Sequence, residues 1–407
     1  MWYIVLYILF FVAQLLYGSW HVMGPLTPRH IMTIIMFYIC IRQRAFIRDT
    51  YMLHFFIYVI IFLLLGVGGG YIGQTFTKFF AYFFVSIIAY YSTLLFADKY
   101  KGSHYLVVTL IVLGILNSVV TIGNMFMMSW ATRITDFLHL SNSADLLEYV
   151  GDRVNTETMD GFAVPGIISD VGNGYFMAYM SVLALYSKDK KIHIYQLPIY
   201  VLFLFTLFFI QERTALVAGM LLSMYALFRV MTMHNYKANI KKRMIHIIII
   251  VGLIYFIPIA YDYISNGSSR YATDGFDYAD GRSMLNNMSL EFLLSNPWGG
   301  FFDFFKQYHV YPHNLFYNAL IYGGIIGGLS IFSLLWKQIK LSFSIITKRI
   351  KESDYDFFIF SLMFLIYNLC SLTHNQSVVT GDPTFWVLWA LCVSTYKRKT
   401  NYLNQNV

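Results

Sequence analysis

Three short groups in the chain combine residue types suited to holding a diphosphate and moving a proton. The first is Gln211-Glu212-Arg213-Thr214, a charged pair followed at once by an apolar run. The second is Arg282, in Gly281-Arg282-Ser283. The third is Pro312-His313-Asn314, which opens a stretch holding Gly323, Gly324, Gly327 and Gly328. A guanidinium is planar, permanently charged and able to grip two phosphate oxygens at once. A neutral imidazole can take a proton near neutral pH. Arg213 and His313 stand where apolar helices are expected to begin, and the free N–H groups and dipole of a helix start favour an anion. Arg213, Arg282 and His313 are therefore candidates to converge on a phosphate as three cationic or donor groups.

The elements that must position these residues are membrane helices. The chain has 407 residues, of which 58% are hydrophobic, 19% aromatic and only 12% charged, with a mean hydropathy of +0.57. A soluble domain carries about a quarter charged residues, and no water-soluble fold hides this much apolar surface. The net charge of +8 lies in short connectors and not on a soluble face, which speaks against nucleic acid. Cys40, Cys370 and Cys392 all fall in apolar runs and read as packing residues. A membrane helix needs about 20 mostly apolar residues. On that measure the expected fold class is all-α, a single integral membrane domain over 1–407 forming a polytopic transmembrane bundle of about twelve spans. They are expected near 1–17, 28–41, 51–66, 79–96, 104–126, 166–186, 194–210, 213–233, 245–264, 313–336, 355–372 and 383–396. The first apolar run has no basic flank before it and reads as a first span, not a cleaved signal.

Basic residues collect in cytoplasmic connectors. Here Arg42, Arg44 and Arg48 follow the second span, Lys99 and Lys101 the fourth, and Lys188, Lys190 and Lys191 the sixth. Lys237, Lys241, Lys242 and Arg243 follow the eighth, Lys337, Lys340, Lys348, Arg349 and Lys351 the tenth, and Lys397, Arg398 and Lys399 the last. Each cluster follows an even-numbered span, which predicts cytoplasmic N and C termini and places all three chemical groups on the outer side. Two outward connectors, 127–165 and 265–312, are long and acidic, and long loops in an economical membrane protein usually have a job.

Within the second long connector, Arg282 is expected to open a loop helix, with Met284, Leu285, Met288, Phe292 and Leu293 on a helical period. Pro297 and Gly299-Gly300 are expected to end it. The glycines at 323, 324, 327 and 328 read as close-packing positions inside a span. Asp274, Asp277 and Asp280 recur every third residue, but a solvated acidic loop fits them better than a cation site. The aromatic residues Trp298, Phe301, Phe302, Phe304, Phe305, Tyr308 and Tyr311 fit interface anchors better than sugar-stacking platforms. Structural alternatives stand beside each candidate: Arg213 as an interface anchor, Arg282 as a solvated cap, His313 as an interface histidine. His374-Asn375, at the outer end of the eleventh span, competes with His313-Asn314. Asp170 reads equally as an acceptor-site residue or a helix cap.

The order Arg213-Thr214 at a helix start, then Gly281-Arg282, Asn296-Pro297, Gly299-Gly300 and His313-Asn314 before a glycine-rich span, resembles the O-antigen polymerase and O-antigen ligase superfamily. The resemblance covers about 210–336, and Pro297-Trp298-Gly299-Gly300 departs from the family's more usual Gly-x-Gly. It implies a GT-C-like membrane glycosyltransferase using a lipid-diphosphate-linked glycan donor, with no nucleotide sugar, cofactor or metal. Arg213 and Arg282 would bind the diphosphate, and His313 would be the base. Asn314, Glu212, Arg270, Asp280 and Asp170 are the residues expected to bind substrate around them. The implied partners are undecaprenyl-diphosphate-linked oligosaccharides, membrane lipids, a chain-length regulator and a flippase, with no nucleic acid. The expected setting is a bacterial cytoplasmic membrane. The activity that fits best is polymerisation of the oligosaccharide repeat units. A ligase transferring the glycan to a lipid A core shares the motifs. A flippase would instead bury charges in several mid-spans, which here are almost uncharged.

Overall fold

The computed structural model describes residues 2–16, 28–46, 49–99, 102–126, 128–139, 164, 166–168, 170–210, 212–233, 276–310, 312, 314–347, 352–372 and 377–405. Their regular structure is entirely helical. In chain order the helices are α1 (Trp2–Leu16), α2 (Pro28–Arg42), α3 (Thr50–Gly68), α4 (Ile72–Lys99), α5 (Ser103–Met125), α6 (Ser129–His139) and α7 (Asp170–Leu183). There follow α8 (Gln196–Ile210), α9 (Arg213–Met233), α10 (Phe276–Ser295), α11 (Phe301–Tyr308), α12 (Leu315–Ile346), α13 (Tyr355–Ser371) and α14 (Pro383–Gln405). The expected ninth span, 245–264, lies outside the described residues.

Four helices, α3, α4, α5 and α12, are long and apolar enough to cross a membrane. The fourth begins earlier than the apolar run suggests: Ile72–Lys78 continues through a π-helical turn, Phe79–Phe84, into Val85–Lys99. The connector before it therefore shrinks to Gly69, Gly70 and Tyr71. The long connectors are themselves partly helical, holding α6, α10 and α11.

These helices are apolar on the face turned inward and again on the face turned outward. On α3 the buried side carries Met52, Phe55, Tyr58, Val59 and Phe62, while Leu53, Ile57, Ile60, Leu64 and Val67 are exposed. On α5 Tyr105, Val108, Val112, Leu116 and Val119 form a second exposed stripe at helical spacing. Helices with no polar face, and apolar stripes of this length open to the surroundings, are not what water tolerates on a soluble monomer.

α12 runs antiparallel to α3, and α14 runs parallel to α4. α7 is enclosed by antiparallel α8 and α13 and by parallel α9. At one end of the bundle, Lys99 Nζ donates to Gln43 Oε1 at 2.5 Å, Lys337 Nζ to His54 Nε2 at 2.7 Å, and Tyr225 Oη to the Ile346 carbonyl at 2.7 Å. At the other, Tyr71 Oη donates to Asp303 Oδ1 at 2.8 Å and Lys78 Nζ to Tyr322 Oη at 2.7 Å. Tyr367 Oη donates to Asp382 Oδ2 there at 2.6 Å.

The glycines of α12 do more than allow close packing. Gly323 and Gly327 do face the Tyr58 ring, as expected of packing glycines. Gly324, however, has φ 59° and ψ −170° and breaks the helix. A break frees the carbonyl of Ile321, and Gly300 N–H occupies it at 2.9 Å. The Trp298-Gly299-Gly300 backbone lies directly on the broken turn, so a Cβ on Gly324 would collide with the Trp298 carbonyl oxygen. Gly299, at φ +80°, would bring its own Cβ 2.7 Å from the Leu320 carbonyl.

Candidate functional site

Pro312 and Asn314, the sequence neighbours of His313, are each tied to the first turn of α12 by a hydrogen bond. Asn314 is the N-cap of α12: its Oδ1 accepts from Phe316 N–H at 2.9 Å. The Pro312 carbonyl accepts from Nδ2 of buried Asn318 at 3.0 Å. This is ordinary helix-capping chemistry, in which a side-chain oxygen satisfies one of the free N–H groups of the first turn. His313 itself lies outside the described residues, as do Arg270, His374 and Asn375.

Arg213 is the first residue of α9 and Asp170 the first of α7. Glu212, just before Arg213, is 5% exposed. Its carboxylate rests on Gly174 of α7, where any side chain would strike it, and it lies within electrostatic reach of Cys370 on α13. The expected charged turn is therefore folded inward on its acidic member.

Arg282 and Asp280 lie in α10, which starts at Phe276 and not at Arg282 as expected. Asp277 and Asp280 in its first turns suit the positive end of a helix dipole, so the helix extends back over them. The side chains of Asp170, Arg213, Asp280 and Arg282 lie outside the description. α10 ends at Ser295, before Pro297 and the two glycines, and packs on α12. α9 reaches α12 through α13, which touches both. The three elements that carry Arg213, Arg282 and His313-Asn314 are thus neighbours or second neighbours.

Of the aromatic residues after Gly300, Phe301 and Phe304 are core residues and not interface anchors. Trp298 is exposed. An open depression is lined by Phe62, Tyr71, Gly300, Phe301, Asp303 and Tyr322, between α3, α11 and α12. At its rim the Asp303 carboxylate, accepting from Tyr71, holds that phenol above its usual range.

Sequence reasoning passed over a second polar centre on the same side. Arg29, in the first turn of α2, is 5% exposed, with Cζ 5.4 Å from the centroid of the Tyr82 ring. Asp382 lies within its electrostatic reach. It accepts from Tyr367 Oη and, through Oδ1, from Thr384 N–H at 2.8 Å, capping α14. The chain before it is drawn into the bundle: Ser377, Val378 and Val379 are buried. Tyr58 Oη donates to the Val379 carbonyl at 2.9 Å, and Ser86 Oγ to that of Gly381 at 2.7 Å. Lys78 approaches the other side of this group, with Nζ 5.9 Å from the Tyr82 centroid. The available signals were Arg29 inside an apolar run, Lys78 in the turn before Phe79, and Asp382-Pro383 as a helix start. None of them says which distant elements meet.

Among the described residues no three His, Cys, Asp or Glu side chains gather as a metal site would require. The chain matches no protein-family model, no curated protein and no solved structure.

Proposed function

We propose that this chain is a membrane glycosyltransferase that polymerises lipid-diphosphate-linked oligosaccharide repeat units at the outer face of a bacterial cytoplasmic membrane. It would do so as a GT-C-like bundle of about twelve spans with both ends cytoplasmic. The feature that supports the reading is the chain order of Arg213 opening α9, Arg282 within α10, and His313-Asn314 just before α12, whose N-cap is Asn314. Outside the cytoplasm the donor must arrive already activated. Cleaving its sugar–phosphate bond adds a negative charge to a diphosphate that already carries two, and two guanidinium groups and helix starts stabilise it. The acceptor hydroxyl attacks the anomeric carbon and gives its proton to the imidazole. The apolar stripes on α3 and α5 support a lipid setting. Among the described residues the buried charges Arg29, Glu212 and Asp354 lie at helix ends, which favours an enzyme over a flippase.

Deleting the gene and separating the surface polysaccharide on a gel tests this reading. Loss of a polymerase leaves a single repeat unit attached to its anchor. A surface with no glycan at all, or lipid-linked units trapped inside the cell, would assign the chain to ligation or to flipping instead.

A further inference from the structure

We propose that Lys78 is a positioning residue for this reaction: it fastens the outward hairpin of α10 and α11, which carries Arg282, to α12 at its broken turn. The inference rests on the glycosyltransferase reading for Arg282, and on geometry alone for the fastening.

Lys78 ends the first stretch of α4, immediately before the π-helical turn. Its Nζ lies 3.8 Å from the centroid of the Phe301 ring and 4.7 Å from that of Tyr322. It also donates to Tyr322 Oη at 2.7 Å. Phe301 belongs to the hairpin and Tyr322 to α12, and their ring centroids are 4.1 Å apart. One ammonium therefore grips two rings from two elements at their joint. That joint is also where Gly300 N–H meets the Ile321 carbonyl, one residue from each ring.

The fastening extends along the hairpin. Phe304 of α11 meets Phe292 of α10 edge-on, with centroids 5.3 Å apart, so α10 and α11 form one packed unit. Tyr71 holds α11 from the exposed side through Asp303. A charge taken out of water is costly, and an apolar side chain of the same length would fill this space without that cost. What the ammonium adds is direction. The attraction to a ring face and the hydrogen bond to a phenol oxygen are both geometric, and together they fix how the hairpin sits on α12. Removing the charge should loosen the hairpin while the bundle stays folded.

The test uses full-length protein in nanodiscs, comparing wild type, Lys78→Met and Lys78→Arg by hydrogen exchange and by kinetics with a lipid-linked donor. In Lys78→Met, amides of 296–310 should exchange about tenfold faster or more, while those of α5 are unchanged. KM for the donor should rise by about tenfold. Lys78→Arg, which keeps charge and donors, should restore both. Phe301→Leu should give a similar change, and adding it to Lys78→Met should add little. Unchanged exchange in Lys78→Met overturns the proposal, and so does faster exchange spread evenly over the bundle. Local loosening with an unchanged KM overturns the positioning role. Local loosening rescued by arginine, in a wild type that never turns over the donor, supports the fastening and overturns the glycosyltransferase reading instead.

Discussion

On the proposed mechanism, His313→Ala should slow glycan transfer by about 10²–10⁴-fold, the usual loss for a general base, and leave binding of the lipid-linked donor intact. The proton it accepts belongs to the acceptor hydroxyl, so the donor's diphosphate does not feel its absence. Arg282→Lys gives the complementary result. The charge stays, but the planar fork that spans two phosphate oxygens is lost, and donor binding and transfer fail together. Arg213→Lys falls between, because a point charge at the start of α9 still meets the helix dipole. His309→Ala is the control. His309 is the left-handed residue that closes α11, at φ 56°, and its ring has no assigned part in transfer. The measurement is chain growth and donor binding by each variant at matched membrane abundance. Normal polymerisation by His313→Ala with loss in His374→Ala would move the base to the other His-Asn pair.

Gly324→Ala is the substitution expected to harm folding most. At φ 59° and ψ −170° the backbone lies at the edge of a region essentially reserved for glycine. The new methyl would also run into the Trp298 carbonyl, a backbone atom that cannot turn aside. Strain of about 1–3 kcal/mol from the backbone alone, with the clash added to it, should lower the melting temperature of purified protein and its abundance in the membrane. Gly68→Ala is the matched control. It has no atom within 4 Å of the new methyl, and loss of glycine's unfolded-state freedom favours it by about 0.4–1 kcal/mol. Equal stability of the two variants would show that the break in α12 is dispensable.

How far the sequence could be read depended on whether a feature is local. The helices follow from apolar runs of sufficient length. The helices found at 28–42, 50–68, 103–125 and 355–371 lie where those runs put them. The helix start at Arg213 was legible for the same reason, since it depends on a few neighbouring residues. Asn314, expected to bind substrate, is instead the N-cap of α12. The break in α12 was not. Gly323-Gly324 and Gly327-Gly328 look alike in sequence, and only the approach of the 298–300 backbone, supplied by another part of the chain, separates the residue that breaks the helix from those that face Tyr58. Lys78 was missed because its partners Phe301 and Tyr322 are more than two hundred residues away. Arg29 and Asp382 meet across almost the whole chain. In the candidate site, the groups that act next to a helix start were readable, and those held by packing between distant helices were not.

The central claim is best tested by giving purified protein in nanodiscs a single defined substrate, an undecaprenyl-diphosphate-linked repeat unit, without ATP, nucleotide sugar or added metal and with EDTA present. The account predicts a ladder of lipid-linked products differing by one repeat unit, one undecaprenyl diphosphate released for each bond made, and no ladder from Arg282→Lys. Substrate returned unchanged by active, folded protein, or a ladder that requires a divalent cation, would contradict it.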